Sequence, residues 1–243
     1  AFRKPLNDSL TCAWAASRSR KNASTSSISS NERCGTEASS VWIFSSVTTG
    51  LARLSVHTFR RSSLASAVML LNAIRGHEGQ LKVGAPVSEL SLLDALKDEA
   101  WREQVRHETG PGQSLSEFAD SFARALAHFD WAEDWQVTKM PVGDAAACLQ
   151  ELRATLAELE SGTPGFVAAN FHLDLFYGDG VDVGHFSPIG AYDPARDRVL
   201  ILDVYKKDYE PLWAPLERLA VAMATRSRKT GEPRGYAVVR KIG

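Results

Sequence analysis

Two ionisable residues, His185 and Asp203, stand where they could act together on a substrate. His185 opens a small, apolar segment over residues 184–192, and Asp203 closes the apolar run of residues 199–202. The turn formers Asp193-Pro194 and Asp197 separate the two, so the stretch is typical of a strand, a tight turn and a second strand. In such an antiparallel pair a carboxylate can hold an imidazole in the tautomer that a general base needs. A surface histidine and a strand-end aspartate without contact would give the same spacing.

Residues 62–74 supply a candidate position for a nucleophile. Apolar residues recur at helical spacing from residue 64 onward, which predicts a buried helix that begins with Ser62 and Ser63. The N-terminus of a helix favours negative charge and lowers the pKa of a thiol placed there. Either serine could instead be only an N-cap.

The other elements suggest which class of fold positions these residues. Helices come first and strands cluster late, so the pattern predicts an α+β fold. Further helices are expected over residues 91–106, 114–129, 144–159 and 213–224, and further strands over 131–140, 165–171 and 236–240.

Composition excludes several classes of function. The chain of 243 residues has a formal net charge of −1, which gives no bulk electrostatic case for binding nucleic acid or an anionic membrane. The three cysteines, Cys12, Cys34 and Cys148, form no C-x-x-C pair, so neither a zinc knot nor a disulfide framework is expected. The five histidines other than His185 share no H-x-x-x-H spacing, and we expect no metal site in the protein.

The N-terminal segment differs from the rest of the chain. Residues 17–30 are a polar, serine-rich, low-complexity run that cannot bury enough apolar surface to order itself. We therefore expect residues 1–55 to be a poorly ordered or divergent arm, followed by a catalytic domain over residues 56–243.

Three stretches together resemble the phytochelatin synthases. Residues 64–73 (LASAVMLLNA) are similar to the helix that follows that family's catalytic cysteine. Residues 184–192 (GHFSPIGAY) with 200–204 (LILDV) resemble its histidine and aspartate segments. Residues 209–216 (YEPLWAPL), followed by Ala222-Met223 and Arg234-Gly235-Tyr236, resemble its last motifs. The resemblance runs from residue 62 to about residue 240.

The resemblance implies a papain-like cysteine peptidase fold, with a helical half and an antiparallel sheet half. It also implies cleavage of glycine from glutathione through an acyl-enzyme, whose γ-glutamylcysteinyl group passes to another glutathione or to water. By position, residue 62 would be the nucleophile, His185 the general base and acid, and Asp203 its orienting partner. Arg234 would hold a carboxylate of the γ-glutamyl group, unless it is only a surface arginine of a basic tail.

The resemblance carries expectations about partners and cofactors as well. Glutathione is the expected substrate, no cofactor is expected to bind tightly, and heavy-metal ions such as Cd or Zn would enter as glutathione thiolates. The printed chain carries no cysteine-rich C-terminal extension and so resembles the short prokaryotic form, which tends toward glutathione cleavage. A cytoplasmic location is favoured over secretion, and a homodimer is left open.

Three positions depart from the family's pattern. Ser62 occupies the place of the catalytic cysteine, Val56 that of the oxyanion-hole glutamine, and Leu173 follows Asn170-Phe171 where an arginine is expected. A serine hydroxyl is far harder to ionise than a thiol, so we expect impaired activity. The alternatives are a non-catalytic relative that binds a thiol peptide or a protein partner, and a serine hydrolase. Cys34 is disfavoured as a substitute nucleophile because no apolar helix follows it.

Overall fold

The computed structural model describes residues 61–80, 84–106 and 109–242, which all belong to one compact unit. These ranges include the predicted elements from residue 62 onward. The predicted arm over residues 1–55 and the departure at Val56 lie outside them.

Helix α1 (Ser62–His77) is the buried centre of the helical layer. Residues 62–75 are all buried, because the helix carries small or apolar side chains on nearly all of its sides. Its first turn carries no acidic residue, while Arg75 and His77 stand in its last turn and complement the negative end of the helix dipole. The positive end of the dipole is therefore not neutralised from within the helix, and it lies at Ser62.

Three further helices complete this layer: α2 (Glu89–Leu96), α3 (Glu99–Gln104) and α4 (Leu115–His128). The prediction of one helix over residues 91–106 is wrong. Lys97 adopts a left-handed conformation with φ of 51°, and Asp98 then caps α3 by accepting a hydrogen bond from the backbone N–H of Trp101. The predicted capping box of Ser114 and Glu117 at the start of α4 is confirmed.

A six-stranded antiparallel sheet forms the second layer. Its strands lie in the order β1-β6-β2-β3-β4-β5. Helices α1–α4 pack on one face and a second group of helices packs on the other. The predicted α+β class is confirmed. The strands are β1 (Trp135–Pro141), β2 (Gly165–His172), β3 (Gly184–Asp193), β4 (Arg198–Ile201), β5 (Leu212–Pro215) and β6 (Gly235–Lys241), and the helices of the second face are α5 (Ala145–Glu160), α6 (Leu173–Tyr177) and α7 (Leu216–Met223).

Two predicted elements have different limits in the structure. The strand predicted from residue 131 begins only at Trp135, because residues 132–134 form turns. The helix predicted over residues 213–224 begins at Leu216; its first residues instead form β5, an edge strand that ends at Pro215.

An irregularity in β3 allows the segment after β4 to approach it closely. The register between β3 and β4 shifts between Ile189 and Ala191. At Gly190 a Cβ atom would lie 2.7 Å from the fully buried side chain of Leu202, so only glycine leaves room there. The backbone N–H of Leu202 donates to the carbonyl of Pro188 at 3.0 Å. This contact extends the pairing to the residue directly before Asp203.

We predict that Gly190→Ala destabilises the protein, since the added methyl group must displace the buried Leu202 side chain. The expected loss in the free energy of unfolding is about 1–3 kcal/mol, the usual cost of overpacking a core. Gly143→Ala is the matched control, because a Cβ there meets no atom within 4 Å. Urea unfolding of both variants checks this, and equal stabilities would contradict the packing argument.

Candidate active site

His185 and Asp203 form a completely buried pair. The Nε2 atom of His185 lies 3.0 Å from each carboxylate oxygen of Asp203, and both side chains have 0% exposure. His185 is the second residue of β3, and Asp203 follows the end of β4 by two residues. An ionised carboxylate can only accept hydrogen bonds, so Nε2 carries a proton. The other ring nitrogen, Nδ1, is then the atom suited to exchange a proton with a nucleophile.

The carboxylate of Asp203 has three further donors around it. The backbone N–H of Tyr205 donates to Oδ1 at 2.7 Å, and the hydroxyls of Tyr177 and Ser187 donate to Oδ2 at 2.8 and 3.3 Å. Burial by itself would raise the pKa of Asp203. The charge and hydrogen bond of His185, with the Tyr205 and Tyr177 bonds, outweigh burial and hold that pKa below its ordinary value. Asp203 is therefore ionised at neutral pH.

Ser62 lies against the residue that follows His185. Its hydroxyl oxygen accepts a hydrogen bond from the backbone N–H of Phe186 at 3.1 Å, across 124 positions of sequence. Since Ser62 is the first residue of α1, the positive end of the helix dipole also points at this hydroxyl. The structure thus brings the helix N-terminus to the beginning of β3, where the His185–Asp203 pair is found.

A cavity of about 540 Å³ opens beside these residues. Ser62 and Ser63 line it on the helical side, and Gly184 and Phe186 line it on the sheet side. The loop before α4 and the loops that carry Asp182 and Arg228 contribute further parts of the wall. Further lining residues include Gln113, Asn170, Asp182, Tyr205, Arg228 and Lys229.

Arg234 is a buried cation in the wall of this cavity. It is 5% exposed, and a Cβ atom built on Gly184 would lie 2.9 Å from its Nη2, so the guanidinium rests on the backbone of β3. Its Nε and Nη1 atoms have no hydrogen-bond partner within the described part of the chain. Burial lowers the pKa of Arg234, although Asp182 opposes the shift. A guanidinium remains charged in proteins, so these donors favour an anionic ligand.

The other two cations of the cavity wall are paired. Arg228 forms a salt bridge with Asp182, which also contacts His172 Nε2 at 2.8 Å. Lys229 donates to both carboxylate oxygens of Glu117 at 2.8 and 2.9 Å. Among the cations described in the wall, Arg234 is therefore the one without a salt bridge to a carboxylate.

The structure gives no support to other nucleophiles or to a metal site within the described residues. Burial, together with the carboxylates of Glu151 and Asp144, raises the pKa of the Cys148 thiol to about 12. Cys12 and Cys34 lie outside the described ranges. In those ranges no three His, Cys, Asp or Glu side chains gather as metal ligands would, and none of the helices has the length and apolarity to cross a membrane.

Sequence reasoning missed the residues that surround Asp203. Tyr177 ends a five-residue helix 26 positions before Asp203, and no motif or spacing links the two. Leu173, at the position where an arginine was expected, is fully buried and begins the same helix. The one sequence signal for Tyr177 is its position between the strand predicted over residues 165–171 and the segment of residues 184–192.

Comparison with known proteins identifies the family. A model of the phytochelatin synthase family matches residues 54–236, about three quarters of the chain. Glutathione gamma-glutamylcysteinyltransferase 3 of Lotus japonicus is 54% identical over 59 residues, and glutathione gamma-glutamylcysteinyltransferase 1 of Arabidopsis thaliana is 35% identical over 91 residues. These matches cover 24% and 37% of this chain, but only 12% and 18% of the two relatives. The family match includes Ser62, His185, Asp203 and Arg234, and the chain belongs to the phytochelatin synthase family.

Proposed function

We propose that this chain is a glutathione γ-glutamylcysteinyltransferase or peptidase-like protein in a papain-like fold, with impaired chemistry because residue 62 is a serine. One observation carries the proposal: the buried His185–Asp203 pair lies next to the N-terminus of α1, directly behind a cavity whose wall contains Ser62 and the guanidinium of Arg234. The names of the relatives support glutathione as the substrate class. The papain-like assignment is supported by the way a helix N-terminus meets an antiparallel sheet at a histidine.

With a thiol at residue 62, the geometry supports a two-step acyl transfer. The thiolate forms a bond to the carbonyl carbon between cysteine and glycine, and His185 donates its proton to the nitrogen of the departing glycine. A thioester to the γ-glutamylcysteinyl group remains. His185 then takes a proton from the amine of a second glutathione or from water, which attacks the thioester and releases the thiolate. Asp203 stabilises the imidazolium that must exist while the thiolate is present.

The serine weakens this sequence at its first step. The dipole of α1 and a nearby imidazolium suffice to ionise a thiol, but a hydroxyl is far harder to ionise. The hydroxyl oxygen of Ser62 also accepts the N–H of Phe186, so it is held in place but not activated. Glutathione should therefore still bind, but its turnover should be very slow. The unactivated hydroxyl of Ser62 also favours the alternative, a non-catalytic protein that binds a thiol peptide.

Distances along β3 indicate which carboxylate Arg234 would hold. Its guanidinium rests on Gly184, and Ser62 contacts Phe186, two residues further along the same strand. Two residues of a strand span about 7 Å. In glutathione the glycine carboxylate is three bonds from the reacting carbonyl carbon, about 3.6 Å, whereas the γ-glutamyl carboxylate is seven bonds away, about 8 Å. The spacing supports the γ-glutamyl carboxylate as the partner of Arg234.

Metal enters this proposal only through the substrate. Glutathione thiols bind Cd or Zn. A metal ion held by the thiolates of two glutathione molecules would bring both peptides to the cavity without requiring ligands from the protein. We accordingly propose no tightly bound cofactor.

We predict that Ser62→Cys increases the release of glycine from glutathione at least about a hundredfold, because a thiolate replaces a neutral hydroxyl beside a positioned base. Ser63→Cys is the matched control, since it places a thiol in the same cavity one residue away and should stay at the background rate. Glycine release is measured with excess glutathione under reducing conditions. An inactive Ser62→Cys that still binds glutathione would favour the non-catalytic alternative.

We further predict that Arg234→Ala weakens binding of glutathione by about 1.5–3 kcal/mol, the range for a hydrogen bond to a charged group. The loss should be equal for γ-glutamylcysteine and absent for cysteinylglycine, which lacks the γ-glutamyl carboxylate. Calorimetry on the chain with Ser62 measures this without turnover. Arg240→Ala, which removes a partly exposed salt bridge with Glu158, is the control. Unchanged affinity for γ-glutamylcysteine would overturn the assignment of Arg234.

A further inference from the structure

The hydroxyl of Tyr177 makes the shortest side-chain hydrogen bond described for the carboxylate of Asp203, at 2.8 Å. Tyr177 is the last residue of α6, and Gly178 ends that helix with a left-handed φ of 73°. The side chain approaches Asp203 from the second face of the sheet and does not line the cavity. It can therefore influence the carboxylate without contacting a substrate.

The ring of Tyr177 is held by another tyrosine. Tyr209 stacks on it with a centroid distance of 4.1 Å and an interplanar angle of 14°, and Phe176 packs edge-on against it at 4.8 Å. The hydroxyl of Tyr209 is itself hydrogen-bonded to the carboxylate of Asp179, in the loop that leads to β3. Two aromatic contacts thus fix the plane of the phenol whose hydroxyl reaches Asp203.

The electrostatics keep Tyr177 a donor. Burial, then the charge and hydrogen bond of Asp203, raise the pKa of Tyr177 above its ordinary value, so the phenol stays protonated. In return its hydrogen bond helps to lower the pKa of Asp203. The other ionisable groups in this network, which a change at Tyr177 leaves in place, are His185, Tyr205, Tyr209, Asp179 and Asp208.

We propose that Tyr177 is a positioning residue, which orients the carboxylate of Asp203 toward His185 and is itself held in place by Tyr209. Asp203 can rotate about its side-chain bonds, and its two oxygens must both stay within reach of Nε2. The N–H of Tyr205 fixes Oδ1 and the hydroxyl of Tyr177 fixes Oδ2, so the two donors define the plane of the carboxylate. The catalytic consequence rests on the proposed function, but the orientation of the pair does not.

Tyr177→Phe tests the proposal, because it removes the hydroxyl and keeps the stacked ring. In the chain with Ser62, carbon NMR of the Asp203 carboxyl group should show titration at higher pH than in the parent chain. The hydrogen bond stabilises only the ionised carboxylate, so its loss raises the pKa of Asp203. In the Ser62→Cys background, kcat for glycine release should fall about tenfold with KM nearly unchanged. In the pH profile of kcat, the fall on the acidic side should occur at higher pH than in the parent.

Two other tyrosines provide controls. Tyr192 donates to Asp197 at 2.8 Å, an equally short phenol–carboxylate bond seven residues along β3 from His185, and Tyr192→Phe should leave both readouts unchanged. Tyr209→Phe keeps the stacked ring and should act like the parent, whereas Tyr209→Leu should reproduce part of the Tyr177→Phe effect.

The outcomes separate this proposal from the proposed function. An unshifted Asp203 titration in Tyr177→Phe would overturn the positioning role, whatever the activity. A shifted titration in a protein whose Ser62→Cys form never cleaves glutathione would support the role of Tyr177 and count against the transferase. Equal losses in Tyr192→Phe and Tyr177→Phe would show a general effect on stability and would also overturn the proposal.

Discussion

The buried contact between His185 and Asp203 is the interaction on which the rest of the site depends. Removing a carboxylate from water costs several kcal/mol unless hydrogen bonds replace its hydration. Here four groups replace it: the imidazole of His185, one backbone N–H and the hydroxyls of Tyr177 and Ser187. These hydrogen-bond donors to Asp203 come from elements on both faces of the sheet. The irregularity at Gly190, which admits Leu202, brings the end of β4 close enough to make the contact.

The charges around the cavity are balanced in a way that leaves a place for an anion. The N-terminus of α1 carries no acidic residue, and the guanidinium of Arg234 has donors without partners in the described part of the chain. The neighbouring cations Arg228 and Lys229 are already neutralised by carboxylates. A thiolate of the protein at residue 62 and a ligand carboxylate at Arg234 would complete the balance. Ser62 leaves the first of these charges missing.

The sequence predicted the parts of this arrangement that depend on local pattern. The buried helix from Ser62, the capped helix from Ser114 and the strands that begin near Gly165 and Gly184 follow from periodicity and turn residues. The break at Lys97 was not predicted, because apolar spacing continues on both sides of it and a lysine carries no signal for a left-handed conformation. Residues 213–224 had a helical pattern throughout, yet the pairing of Leu212–Pro215 with β4 made the first part a strand.

In the site, too, the sequence predicts contacts set by local spacing but not those set by tertiary packing. Spacing across a turn predicted that His185 and Asp203 could meet, and the structure places them in contact. The contact of Tyr177 with Asp203 depends on how a short helix packs beneath the sheet, and no sequence period encodes that. The roles of Ser62, His185, Asp203 and Arg234 in catalysis stay predictions, because the geometry gives them positions and not rates.

The structure contains a formed His185–Asp203 pair beside residue 62, and we hold that Ser62 is what limits its chemistry. The most direct test is intact-protein mass spectrometry with peptide mapping, after Ser62→Cys is mixed briefly with glutathione at low pH to slow deacylation. We expect a γ-glutamylcysteinyl adduct on residue 62 that is removed by hydroxylamine but not by a disulfide reductant, as for a thioester. An unmodified residue 62, or an adduct that a reductant removes, would contradict it.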